Sequence, residues 1–222
     1  MATSSAVPAR TREIRLKHVL FAALALLFVF VLWHDERFII VHSHPNFAYY
    51  FPVRWFIIPH GLAGLAALLI GPFQLSTRFR QQHLRIHRII GRVYLSSVAV
   101  AGCMGMYLAY IHQELLDKIW VFALALTWLL TGAMAFAAVL KGNIDTHRQW
   151  MVRNYALTAA FVTTRVALAL PFVVRGGDGL IRATLWIVLL ATVVLAEVAL
   201  SWRAVFTTRR SQAAATMRAT AP

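Results

Sequence analysis

The chain has 222 residues, of which 60% are hydrophobic and only 14% charged, with a mean hydropathy of +0.66. A soluble domain carries about 25% charged residues, so an ordinary soluble globule is excluded. The 22 Lys and Arg outweigh the 8 Asp and Glu, but these bases lie between long apolar runs rather than in one patch, which disfavours nucleic acid as a partner.

In chain order, residues 1–12 are basic and rich in Ala, Ser and Thr, and are expected to be disordered. A membrane domain over 13–206 follows, then a second disordered tail over 207–222. Within the domain, six apolar runs approach the roughly 20 residues that a spanning helix needs: 19–33, 55–75, 93–111, 119–140, 155–174 and 183–202. The first is short and is read as an uncleaved span, because His34-Asp35-Glu36 follows it rather than a small-residue cleavage site. Trp33, Trp55, Trp120, Trp186 and Trp202 lie near run ends, as interfacial anchors do. The expected fold is therefore all-α, a polytopic bundle of six transmembrane helices whose first partner is the lipid bilayer.

Orientation follows from the bases. With the N-terminus inside, the cytoplasmic segments hold most of them: Arg10 to Lys17, Arg78 to Arg92, Lys141 to Arg153, and Arg203 onward. The outer segments keep only Arg37, Arg54, Lys118, Arg175 and Arg182. That bias places both termini in the cytoplasm. Cys103 stands alone within a span, so no disulfide framework exists, and a small packing role is expected of it.

Helical spacing puts His60, Gly64, Ala67, Gly71 and Gln74 on one stripe, and His87, Gly91, Tyr94, Val98, Ala101, Gly105 and His112 on another. Small residues let helices approach closely, so packing is the first reading and room for a flat ligand the second. Pro59 and Pro72 bracket the first stripe and predict kinks. In the fifth run His147, Asn154, Thr158, Phe161 and Arg165 share a face. A mid-membrane Arg costs about 2.5–3.5 kcal/mol and needs a partner, and Glu197 is the acid buried at a comparable depth; an Arg165–Glu197 structural ion pair is predicted. Thr146 with Gln149 reads as a capping box for the fifth helix.

Two basic junctions look alike. His87-Arg88 with Gly91-Arg92 and Tyr94 opens the third span; His147-Arg148-Gln149-Trp150-Met151 with Arg153 and Tyr155-Ala156-Leu157 opens the fifth. They suggest an approximate internal repeat of helical hairpins, off by one residue. Together with His60-Gly61 and Gly71-Pro72-Phe73-Gln74, these motifs resemble bacterial predicted membrane proteins of the domain of unknown function 2306 family, over residues 55–175. The resemblance implies a multi-pass protein of the bacterial inner membrane and no particular reaction.

Several functional readings compete. The cytoplasmic rim of Arg88, Arg92, Arg148 and Arg153, with Arg165, His60 and Gln74 along a path behind it, suits a small amphiphile or anionic ligand such as a lipid headgroup or a quinone. Alternatively, His87 and His147 are axial ligands of a b-type haem, with His60 a further candidate. The six-span plan is similar to that of the cytochrome b561 family, which pairs histidines between its second and fourth and its third and fifth helices. Only the third–fifth pairing has a counterpart here. A metal on His83, His87 and His147 is disfavoured by Arg85 and Arg88, and a loop of His34, Asp35, Glu36, His42 and His44 reads as solvated, so no metal is expected. No phosphate-cradling loop, nucleophile elbow or Cys pair is present, and no catalytic residue is assigned. The third reading is a structural or accessory membrane protein, with a homo-oligomer among the assemblies such a bundle forms.

Overall fold

The computed structural model describes residues 47–219, with side chains to Trp202, and scattered residues between 22 and 43. The first expected span and the first tail lie outside the continuously described residues. A turn of helix, α1 (Phe47–Tyr50), and a 3-10 turn (Phe51–Val53) lead into α2 (Arg54–Leu75). Then come α3 (Thr77–Gln82), α4 (Leu84–His112), α5 (Leu115–Leu140), α6 (Ile144–Leu168), α7 (Pro171–Arg175) and α8 (Gly177–Ala219). Helix α8 continues through 207–219, where the composition suggested a disordered tail.

Among the described residues, four helices are long and apolar enough to cross a membrane: 47–75, 84–112, 115–140 and 177–202. The fifth run differs from expectation. Its helix begins at Ile144, eleven residues before the apolar stretch, and stops at Leu168 because Pro171 starts a new short helix. Its 25 residues reach about 37 Å, but Asp145, Arg148, Arg153, Asn154 and Arg165 make it the least apolar of the long helices. Both Pro59 and Pro72 sit inside an unbroken α2.

Helices α2, α4, α5 and α6 form a closed ring, each packed on the next, with α4 and α6 on one diagonal; α8 packs on the outside of α6. The tightest link is between α5 and α6. Gly142 adopts φ +73°, with its N–H bonded to Val139 O at 3.1 Å and the Asn143 N–H bonded to Ala138 O at 2.9 Å. This is a Schellman closure, and the left-handed residue in it suits glycine. Asn143, not Thr146, caps the next helix: its Oδ1 accepts the Thr146 N–H at 3.1 Å, so the expected capping box is displaced by three residues. A three-residue link forces α6 back along α5.

The stripes pack as spacing predicted. The His60 imidazole of α2 donates from Nδ1 to Ala101 O at 2.8 Å and lies against Gly105 of α4, where a Cβ would come within 3.0 Å of the ring. Gln74 lodges over Gly91 and donates to His87 O at 3.3 Å. Large apolar side chains such as Leu62, Leu126, Ile187 and Leu195 are more than half exposed, the inside-out surface that lipid covers. Cys103 also lies on that surface rather than packing inside. Trp120 departs from its expected role as an interfacial anchor: its indole turns inward, with Nε1 buried.

Candidate functional site

A polar knot fills the centre of the ring. Tyr94 of α4 donates to Asn154 Oδ1 of α6 at 2.7 Å, and the Asn154 amide donates to Trp128 O at 2.7 Å and to Thr131 Oγ1 at 2.9 Å, both on α5. The Trp128 indole donates to Thr158 Oγ1 at 2.9 Å, and Thr158 lies 3.0 Å from the Tyr94 hydroxyl. Thr158 also bonds back to Asn154 O at 3.0 Å, the local bond expected for a helix threonine. Tyr94 and Asn154 are 0% exposed, Trp128 1% and Thr158 2%. One assignment of protons gives every polar side-chain hydrogen in the knot an acceptor, so the knot is a lock rather than a reactive site.

His87 and His147 stand about two turns from the knot, toward the basic end of the bundle. Tyr94 and Asn154 each follow the corresponding histidine by seven residues, so all four side chains line the same diagonal between α4 and α6. This resolves the one-residue offset between the two junctions: the counterpart of Tyr94 is Asn154, whereas Tyr155 turns toward α2. There it donates to Leu68 O at 3.2 Å and lays its ring against Gly71.

The two imidazoles differ. His147 Nδ1 donates to Ala135 O at 2.8 Å, a contact set by the short α5–α6 link, which leaves Nε2 as an acceptor. His87 Nδ1 is buried with no hydrogen-bond partner. His87 lies within electrostatic reach of His147, Arg80 and Arg88. Arg80 was absent from the sequence-based rim. The six-residue helix α3, capped by Ser76 Oγ accepting the Phe79 N–H at 3.2 Å, presents it there.

The remaining expected site residues divide. Arg88 and Arg92 are exposed on α4, and Arg148 is loosely paired with Asp145 at 3.9 Å. Gln74 belongs to the α2–α4 interface, and His60 lies deeper and is not brought to His87 or His147. Among the described residues no group of three His, Cys, Asp or Glu is placed to hold a metal. The His34, Asp35, Glu36 and His44 loop lies outside the described residues.

The ion pair is corrected. Glu197 is held by Arg153, with Nε to Oε1 at 2.5 Å and Nη2 to Oε2 at 3.0 Å, not by Arg165. The early start of α6 puts Arg153 well inside the helix and level with Glu197, whereas Arg165 lies about 18 Å further along. Arg153 also lies over the Trp150 ring, 4.7 Å from its centroid. Their side chains are 24% and 48% exposed on the apolar flank, so the fork is a lateral clasp between α6 and α8 and removes Arg153 from the rim's free charge. Glu197→Gln leaves Arg153 uncompensated against lipid and is expected to lower the melting temperature; Arg153→Gln with Glu197→Gln recovers part of that loss. Thermal melts of the wild type and of both variants check this, and a Glu197→Gln variant that melts like the wild type would refute the clasp.

Comparison with known proteins adds one match. No curated protein and no solved structure is matched. The model of the domain of unknown function 2306 family, described as predicted membrane proteins, matches residues 57–202 and so takes in the ring, both histidines, the polar knot and the clasp; the chain belongs to that family of membrane proteins.

Proposed function

We propose that the basic end of the helix ring binds the anionic headgroup of a membrane amphiphile, with His87 and His147 facing the headgroup and Arg80 and Arg88 supplying charge. The observation that carries this reading is the buried, partnerless Nδ1 of His87 beside an imidazole whose tautomer is fixed by Ala135 O. An orphaned buried nitrogen is costly, and a ligand oxygen would satisfy it. In this reading the protein is a six-span bundle of the bacterial inner membrane with both termini cytoplasmic: α6 spans as the polar centre, shielded by α2, α5 and α8, and the positive-inside bias makes the basic end cytoplasmic.

A b-type haem is the second reading, favoured by the Nδ1-to-carbonyl bond of His147, which orients Nε2 as ligating imidazoles require. The other residues fit it poorly. His87 lacks a carbonyl for its Nδ1, and the knot ties α4 to α6 two turns in from the histidines.

Lipid co-purification separates the two. Protein reconstituted in nanodiscs containing phosphatidylglycerol and phosphatidylcholine is expected to retain phosphatidylglycerol selectively after detergent extraction. Arg80→Glu with Arg88→Glu is expected to abolish that selectivity, since each base near an anionic surface is worth about 1 kcal/mol, or roughly fivefold. Equal retention of both lipids by the wild type would overturn the reading. A Soret band with sharp reduced α and β bands in the dithionite spectrum would replace it with the haem.

A further inference from the structure

We infer that the opposite end of the bundle holds a second ligand site, one that takes a neutral ring-bearing carbonyl compound of the quinone headgroup class. A cavity of about 240 Å³ opens there between α5 and α8, walled by Leu116, Ile119, Trp120, Leu185 and Trp186, with Asp117 and Arg182 at its mouth. A cavity of about 150 Å³ accepts benzene, so this one has room for a substituted six-membered ring. Trp120 Nε1 is buried and has no hydrogen-bond partner. An indole N–H only donates, so its partner must be an acceptor. The orphaned donor thus belongs to a residue of the cavity wall, beside a second indole, that of Trp186.

Charge selects the ligand. Arg182 is already held by Asp117 at 3.0 Å and by Glu114 at 3.0 Å, and Asp178 lies within its electrostatic reach. The one base of the lining is therefore already paired, which leaves no uncompensated cation there for an anionic headgroup and makes a neutral acceptor the suited occupant. A ring carbonyl meets the Trp120 N–H, the ring lies among Leu116, Ile119 and the indoles, and an isoprenoid chain leaves into lipid between the helices.

Equilibrium dialysis of decylubiquinone against the detergent-purified full-length protein, corrected with empty micelles, tests the site. Wild type is expected to bind above the micelle background. Trp120→Phe keeps the ring but removes the donor, and is expected to weaken binding about fivefold to tenfold with an unchanged melting temperature; Trp202→Phe is expected to bind as wild type. An azido-quinone is expected to crosslink within 114–120 or 182–186. No binding above background, full affinity in Trp120→Phe, or crosslinks confined to other segments would overturn the proposal and leave the cavity to water. Displacement of decylubiquinone by equimolar diacylglycerol would also overturn the quinone assignment, giving the Trp120 donor to a lipid ester carbonyl instead.

Discussion

Asn154→Leu, which keeps the branching of the side chain and removes its polar atoms, is expected to destabilise the protein by about 2–4 kcal/mol. Asn154 is the hub of the knot: its amide joins α5 through Trp128 O and Thr131 Oγ1, and its carbonyl receives the Tyr94 hydroxyl of α4. Interhelical hydrogen bonds in membranes average about 0.6 kcal/mol and reach about 1.7, so three of them sum to about 2–5 kcal/mol, which contains the stated range. Leucine fills the space but leaves the Tyr94 O–H to compete for the already engaged Thr158. Tyr94→Phe removes one bond and is expected to cost about 1 kcal/mol, and the double variant less than the sum. Because the knot also fixes the diagonal at whose end His87 and His147 stand, Asn154→Leu should loosen phosphatidylglycerol retention as well. Thermal or SDS-induced unfolding measures the first effect. A wild-type midpoint for Asn154→Leu would mean that packing alone holds the ring.

The ring was legible in the sequence where one physical signal governed it. Small residues at helical spacing on α2 and α4 make close approach the first reading, and His60 with Gly105 and Gln74 with Gly91 show that approach. The His-Arg junctions were legible for the same reason: equal spacing onto helix starts at one end of a bundle brings them together. Hydropathy misleads where it sets depth. The polar turns over 144–154 carry no apolar signal although the Thr146–Gln149 pair marks a helix start there, so depth counted from the apolar run at Tyr155 brings Arg165 too near Glu197 and leaves Arg153 on the rim. The α5 half of the knot was hidden too. Trp128 and Thr131 sit in an apolar run to which spacing assigns no inward stripe, and a threonine there ordinarily bonds its own helix, as Thr131 also does to Thr127 O at 2.9 Å. Arg80 was missed because six residues of α3 are too few to show a period; only the Ser76 cap announces that helix.

Gly71→Ala is expected to cost about 1–3 kcal/mol, because the Tyr155 ring occupies the place a Cβ would take. The ring has little freedom to withdraw. Its hydroxyl is tied to Leu68 O at 3.2 Å on the same helix, and its own helix is held by the knot one residue away. The added methyl must therefore part α2 from α6 or break the tyrosine's hydrogen bond, and the ring opens on the side nearest Gln74 and His87 in either case. Tyr155→Leu removes the ring and hydroxyl together and is destabilising by itself. In that background Gly71→Ala should add almost nothing, since no ring remains to meet the methyl. Melting temperatures of the four proteins of this cycle test the seat directly. A neutral Gly71→Ala would show that the ring pivots freely and that glycine serves only close helix approach; a cost that persists in Tyr155→Leu would place the obstruction in the α2–α4 backbone contact instead.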